Sequence, residues 1–130
     1  MSQIAQRQTT SRIGALQIAI IVLVAVTALI HLSRALLMGA PSMRPFPLLF
    51  YLNFIGYAVL VIAHYAPQLQ RYQRATRWIL MVYAAITIIA WVLITQARPN
   101  VLGYIDKPIE IALIVLLVIE DLRSRQLRTA

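Results

Sequence analysis

Four long runs of apolar residues, separated by short segments rich in proline or arginine, dominate this sequence. Of its 130 residues, 61% are hydrophobic and only 12% are charged, which is outside the usual range of a water-soluble domain. A helix of about 20 residues crosses the ~30 Å hydrocarbon core of a bilayer. We therefore predict an all-α fold, a single membrane domain over residues 1–130 that is a four-transmembrane-helix bundle, with spans at about 13–38, 48–66, 78–95 and 103–119.

The connections between the runs contain helix-breaking residues. Three prolines and a glycine lie between residues 39 and 47, Pro67 follows the second run and Pro99 follows the third. The first run is too long for the ~7–15-residue apolar region of a signal peptide, and further runs follow it. It is therefore expected to remain as a span.

The twelve basic residues lie mostly at the edges of the spans. Eight of them precede the first span, follow the fourth, or lie between the second and the third, and four lie on the opposite side. The positive-inside rule then predicts cytoplasmic N- and C-termini in a multi-pass protein of the inner (plasma) membrane. No basic face with interleaved aromatic residues is visible, so the net charge of +8 does not indicate nucleic-acid binding.

Polar side chains within each span fall on one side of the helix at 100° per residue. Polar groups are costly in hydrocarbon unless they face protein or water, so these polar seams are predicted to turn toward one another inside the bundle. The seams contain Gln17, Thr27, His31 and Arg34 in the first span, Asn53, Tyr57 and His64 in the second, Tyr83, Thr87 and Trp91 in the third, and Asp106, Glu110 and Glu120 in the fourth.

A polar cluster is expected near the outer ends of the spans, because five of these residues share that depth. We predict that Arg34 pairs with Glu110 or Asp106, since an isolated charge there would cost several kcal/mol. Two interpretations stay open: the cluster holds the helices in register, or it forms a proton or ion relay in which Glu110 titrates beside His31. The five residues are His31, Arg34, Asn53, Asp106 and Glu110; charges expected at the inner face are Arg71, Arg74, Arg77 and Glu120.

No metal site and no bound cofactor are predicted. The chain has no cysteine, which excludes disulfides and thiolate metal centres. His31 and His64 are candidate contacts for a ligand or cofactor such as haem, but their predicted depths differ by roughly 20 Å of helix rise, so one haem cannot bridge them. Haem or chlorin ligation shared with another subunit, and quinone binding, stay as alternatives.

A short sequence in the last span carries a resemblance. Residues 102–114, LGYIDKPIEIALI, together with His31-Leu32 at the end of the first span, resemble a group of uncharacterised small four-helix prokaryotic integral membrane proteins. The resemblance implies the four-helix fold and no particular activity.

The function predicted from the sequence is that of an accessory or structural subunit in a larger membrane complex, such as an energy-transducing electron-transport assembly. No enzyme activity is expected, because the two histidines and four carboxylates do not assemble a nucleophile, base or metal site in the sequence pattern. The expected partners are the lipid bilayer and other membrane subunits, or further copies of the chain. The alternatives are a small oligomeric transporter or channel that uses the outer cluster, and a haem-, pigment- or quinone-binding protein.

Overall fold

All regular structure in the described part of the chain is helical. The computed structural model describes residues 13–38, 45–95 and 101–129. They form the helices α1 (Ala15–Leu37), α2 (Pro45–Tyr65), α3 (Gln73–Thr95) and α4 (Val101–Thr129), and a 3₁₀ helix at Pro67–Tyr72 precedes α3.

The helix bounds differ from the predicted spans mainly at polar ends. α2 begins at Pro45, earlier than predicted, because proline is tolerated in the first turn, where its missing N–H would have no helical partner. The polar residues before Trp78 are helical rather than a loop, so α3 begins at Gln73. α4 continues ten residues past Ile119, because its charged tail is compatible with a helix in water.

Three segments are long and apolar enough to cross a membrane: Ala15–Leu37, Pro47–Tyr65 and Pro67–Ile94. The prediction of helices long and apolar enough to span a membrane is confirmed for these three. α4 has sufficient length, but composition alone does not qualify it as a span, because Asp106, Lys107 and Glu110 interrupt its apolar sequence.

The four α-helices form a closed bundle. α1 packs on α2, α2 on α3 and α3 on α4, and α4 returns to pack on α1. Contacts such as those of Tyr83 with Asn53 and of Thr76 with His64 show that α2 and α3 are antiparallel. Short connections between antiparallel neighbours are the ordinary topology of a helical bundle.

An apolar layer fills the middle of the bundle. Its side chains come from α1, α3 and α4 and are at most 1% exposed: Ile20, Val24, Leu80, Leu113 and Leu117. On α4 the two leucines lie between Glu110 and Glu120, so this layer separates the polar groups of one end of the bundle from those of the other. Close packing of such side chains excludes water.

Candidate functional site

The acidic residues of the chain all lie on one face of α4. Asp106, Glu110, Glu120 and Asp121 are the only four carboxylate side chains in the sequence, and each is no more than 5% exposed. Together with Leu113 and Leu117 they recur at three- or four-residue spacing, which places them on a single helical face. That face points into the bundle, as the polar seam predicted.

One group of polar side chains, called here the Glu110 cluster, joins α1, α2 and α4. The Tyr57 hydroxyl donates to Oε1 of Glu110 at 2.7 Å, and the Lys107 ammonium donates to the other carboxylate oxygen. Lys107 Nζ also lies 3.1 Å from Oδ2 of Asp106. The Glu110 cluster comprises Thr27, His31, Tyr57, Asp106, Lys107 and Glu110, all of them buried.

His31 lies beside Asp106 in this cluster. Its Nδ1–H donates to the backbone carbonyl of Thr27 at 2.8 Å, because a carbonyl oxygen can only accept. Its Nε2 therefore faces Asp106, 3.7 Å from Oδ2, while the Thr27 hydroxyl donates to Oδ1 at 2.6 Å. Two carboxylates and one ammonium leave one negative charge, which a second proton on His31 would balance.

Three of the five predicted cluster residues are joined by the contacts described above. His31, Asp106 and Glu110 are in contact through the bonds above. The Arg34 guanidinium lies 5.7 Å from the centre of the Phe50 ring, and its predicted ion pair stays a prediction. Asn53 faces α3, where its amide donates to Thr87 Oγ1 at 3.4 Å.

A second group, called here the Glu120 cluster, joins α2, α3 and α4. Oε1 of Glu120 accepts from His64 Nε2 and from Arg77 Nε, the latter at 3.0 Å, and Oε2 accepts from the Tyr65 hydroxyl at 2.8 Å. Arg77 also donates to Asp121 at 3.0 Å. The Glu120 cluster comprises His64, Tyr65, Thr76, Arg77, Glu120 and Asp121.

Both ring nitrogens of His64 have polar partners. Nδ1 lies 2.9 Å from the Thr76 hydroxyl oxygen, which also bonds the carbonyl of Gln73. Nε2 donates to the carboxylate of Glu120 at 2.5 Å, because an ionised carboxylate can only accept. A second proton on the ring would let His64 and Arg77 balance Glu120 and Asp121.

Glu120 and Asp121 follow the predicted fourth span, and their surroundings favour the ionised carboxylates. Burial by itself would raise the pKa of Glu120, but the hydrogen bonds from His64, Tyr65 and Arg77 outweigh it and lower this pKa to about 2. Burial by itself would also raise the pKa of Asp121, but Arg77 and Arg125 outweigh it and bring this pKa below its usual value. Glu120 and Asp121 therefore remain charged near neutral pH.

The predicted inner-face arginines occupy two environments. Arg77 is only 2% exposed and belongs to the Glu120 cluster. Arg71 and Arg74 are exposed, and the Arg71 guanidinium lies 4.6 Å from the centre of the Tyr72 ring. Sequence position alone did not distinguish these three.

The two histidines lie in different clusters. His31 contacts Asp106 and His64 contacts Glu120. These carboxylates are fourteen positions apart on α4, which corresponds to about 21 Å of helix rise. The separation predicted for the histidines agrees with this arrangement, and a single haem does not reach both.

The Glu110 cluster contains the donor atoms of a metal site. His31, Asp106 and Glu110 each offer one ligand atom, and these atoms lie within 4.8 Å of one another. An imidazole with two carboxylates is a donor set that divalent transition metals accept. Lys107 already binds both carboxylates, so an ion would have to displace its ammonium group.

A groove of about 270 Å³ lies between α2 and α3, beside the Glu110 cluster. Its walls are mostly apolar and aromatic, and Lys107 of α4 is also part of the lining. The lining residues with polar groups are Asn53, Tyr83, Thr87, Trp91 and Lys107. At one end the Tyr83 hydroxyl contacts α2 at Gly56, where a Cβ atom would overlap it.

No known protein family, curated protein or solved structure matches the chain. The function must therefore be argued from the geometry of the clusters and the groove.

Several site residues were missed by the sequence reasoning. Lys107 and Thr27 each contact a buried carboxylate, Asp121 is a buried carboxylate that accepts from Arg77, and none of the three was assigned to a site. The signal for Lys107 was its position next to Asp106 and three residues before Glu110, a spacing that favours contact on a helix. No comparable signal marked Thr27, whose partner is 79 residues away.

Proposed function

We propose that this chain is a four-span integral membrane protein that acts as an accessory subunit of a larger membrane assembly. An electron-transport assembly of the plasma membrane is the class to test first. The fourth span is supported by the outward surface of α4. Between residues 101 and 119 its exposed side chains are all apolar or aromatic: Val101, Tyr104, Ile105, Pro108, Ile111, Ala112, Val115 and Val118.

This outward surface is the observation that carries the membrane assignment. The number of charged residues along α4 is too high for an ordinary membrane span. However, the charged side chains of Asp106, Lys107 and Glu110 face the bundle, where they are at most 7% exposed. Lipid would contact only the apolar side. Buried, paired charges are the arrangement that tolerates such residues in a membrane helix.

The subunit role is supported by how completely the polar groups are used inside the bundle. Each cluster ties three helices together and approaches charge balance by itself. The apolar layer at Leu113 and Leu117 separates the clusters, so the described residues form no continuous polar path from one end to the other. The faces left for interaction are apolar, which suits packing against lipid or another membrane helix.

Co-purification from the native membrane tests the subunit proposal. A tagged chain is extracted in mild detergent and analysed on a native gel, with mass spectrometry of each band. We expect a defined complex that contains other integral membrane proteins in fixed ratio. A monomer without partners across several mild detergents would overturn the proposal.

The proposed topology places both termini in the cytoplasm. Because the chain has no cysteine, single cysteines at Ser2, Ser42, Asn100 and Thr129 can be labelled with a reagent that does not cross membranes. In intact cells, labelling is expected at Ser42 and Asn100 and not at Ser2 or Thr129. The reverse pattern would invert the topology, and labelling at Ser2 with none at Thr129 would contradict four spans.

A small transporter is the second candidate, and the grouping of His31, Asp106 and Glu110 favours it. Three potential ion ligands within 4.8 Å are more than a pair of helices needs for packing. Proton or cation flux into proteoliposomes, lost in Glu110→Gln while the protein stays folded, would support this function. Absence of flux from the wild-type protein would leave the cluster with a structural role alone.

A further inference from the structure

We propose that the groove between α2 and α3 is a binding site for a neutral, lipid-soluble ring with carbonyl or hydroxyl oxygens, the chemistry of a quinone or quinol head group. The inference does not depend on the subunit proposal. It rests on the groove's access to lipid, its unused polar atoms, its charge and its size.

The mouth of the groove opens to the side of the bundle. The side chains of Leu49, Leu52, Ile86 and Ile94 line it and are between 50% and 59% exposed. In a membrane these residues would face lipid tails. A ligand would therefore enter from the lipid phase, which requires an apolar body.

Asn53 lines the groove and carries a polar atom without a hydrogen-bond partner in the described part of the chain. Its Oδ1 is buried and has no hydrogen-bond partner among the described residues. Within that part of the chain, the side-chain amide makes one bond, the long one from Nδ2 to Thr87. Exchanging the oxygen and nitrogen of the amide would leave the other end without a partner instead, so the conclusion does not depend on that assignment. A buried amide atom without a partner costs about 1–3 kcal/mol, which a ligand oxygen would recover.

Lys107 is a second polar residue in the lining of the groove. An ammonium group has three N–H donors, and its Nζ lies within 3.1 Å of a carboxylate oxygen of Asp106 and of Glu110. Nζ also lies 5.9 Å from the centre of the Trp91 ring, which lines the groove, so a carbonyl oxygen bound beside that ring would be the acceptor for the remaining N–H.

The charge around Lys107 selects a neutral ligand. An anion such as a fatty-acid carboxylate would approach an ammonium already flanked by two carboxylates, Asp106 and Glu110, and would be repelled by both. A cation would meet the Lys107 ammonium itself. A carbonyl or hydroxyl group can use the remaining N–H without adding charge to a buried site.

The shape of the groove favours a single flat ring. Phe50, Tyr83 and Trp91 form aromatic parts of its wall, and such surfaces stack on planar ligands. A volume of about 270 Å³ is at the small end of the ~300–1,000 Å³ typical of ligand sites. It accommodates one substituted ring and is too small for a tetrapyrrole, so haem and chlorin are disfavoured here.

Fluorescence of Trp91 measures occupancy of this groove directly. The chain has two tryptophans, and Trp78 is 48% exposed on α3 and does not line the groove. In a Trp78→Phe background in lipid nanodiscs, decylubiquinone is expected to quench Trp91 saturably. Decanol and decanoate, which share its chain length, are not expected to compete.

Substitutions distinguish the groove from simple partition into lipid. Ala90→Phe fills the groove and is expected to weaken binding at least about tenfold, and Asn53→Leu about tenfold through the lost polar contact. Ala112→Phe makes the same change on the exposed side of α4 and is expected to bind like the parent. Circular dichroism identifies any variant that fails to fold. If Ala90→Phe fails to fold, Asn53→Leu provides the test in its place.

Three results would overturn the proposal. Quenching that rises linearly with probe, without saturation, would mean partition into lipid only. Equal binding by Ala90→Phe and Ala112→Phe would place the probe elsewhere. If decanoate or decanol displaced decylubiquinone at concentrations similar to that of the quinone itself, the groove would be a general site for amphiphiles.

Discussion

The two ends of the bundle contain buried clusters with the same charged composition and different geometry. Each has one histidine, one basic side chain and two carboxylates of α4, and each is neutral when its histidine is protonated. The corresponding residues are His31, Lys107, Asp106 and Glu110 in one cluster, and His64, Arg77, Glu120 and Asp121 in the other.

The difference lies in how tightly each histidine and basic group is held. Arg77 uses two nitrogens of its planar guanidinium on two carboxylates, a fixed geometry that an ammonium does not have. His64 bonds directly through both nitrogens, whereas His31 has a 3.7 Å separation from Asp106. The Glu120 cluster is thus the more rigid of the two. The Glu110 cluster has room for proton or ligand rearrangement, and it adjoins the groove.

Replacing Arg77 should produce the largest effect. Arg77→Leu leaves Glu120 and Asp121 buried without their main counter-charge and is expected to lower the free energy of unfolding by about 3–5 kcal/mol. Arg74→Leu, at an exposed position nearby, should stay within about 0.5 kcal/mol. Both are measured by reversible unfolding in mixed micelles. Similar losses in the two variants would contradict the role given to Arg77.

Neutralising one glutamate in each cluster tests which cluster is structural. Glu120→Gln weakens the contacts of His64 and Arg77 together and should cost about 3 kcal/mol. Glu110→Gln should cost about 1–2 kcal/mol, because Lys107 keeps Asp106 as its partner and Tyr57 keeps an amide oxygen. The same unfolding measurement compares them, and a reversed order would refute the rigidity argument.

Acid should destabilise the protein through the Glu120 cluster. The pKa of Glu120 in the folded chain is about 2, below the ~4.3 of a free glutamate, so the unfolded chain binds the proton more readily. The stability from this group is complete above the unfolded pKa and is lost as the pH falls from about 5 to 2, by about 2–3 kcal/mol. Unfolding at several pH values should show this loss in the wild-type protein and a smaller one in Glu120→Gln. If acid lowered the stability of the wild-type protein and of Glu120→Gln equally, Glu120 would not be the source of the loss.

The smallest effect is expected at Tyr57. Its hydroxyl bonds Glu110 across the bundle, from α2 to α4, and Tyr57→Phe should cost about 1–2 kcal/mol, the range for a buried bond to a charged group. Tyr72→Phe, at a residue 47% exposed, should be neutral. Thermal unfolding in detergent compares the two variants. If Tyr57→Phe were as stable as the wild-type protein, the bond from Tyr57 to Glu110 would not contribute to stability.

Parts of the site were predictable because they depend on helical phase. The spacing of Asp106 and Glu110 places them on one face, and the depth of His31 in the first run predicted that it would meet them. The spacing of Lys107 from Asp106 and Glu110 carries the same local signal. The contacts that Thr27 and His31 make with Asp106 depend instead on the rotation of α1 against α4.

Other features required contacts between helices that are distant in sequence. The bond from His64 to Glu120 joins residues 56 positions apart. The sequence placed both residues near the same end of the bundle, but it did not predict that they contact each other. The groove depends on the small side chain of Ala90 in its lining and on the position of the Tyr83 ring, whose hydroxyl fills the space beside Gly56. Side-chain volumes of two facing helices, rather than the pattern of either one, decide such a space.

The sequence by itself determined the apolar runs, their lengths and the side of each helix that carries polar groups, because the cost of a polar group in hydrocarbon acts on every residue separately and the helical repeat is a local property. Only the tertiary structure decided which charges pair, that two similar clusters form with an apolar layer between them, and where a groove remains. Those outcomes depend on the relative rotation and neighbour order of four helices, and each involves side chains from at least two of them.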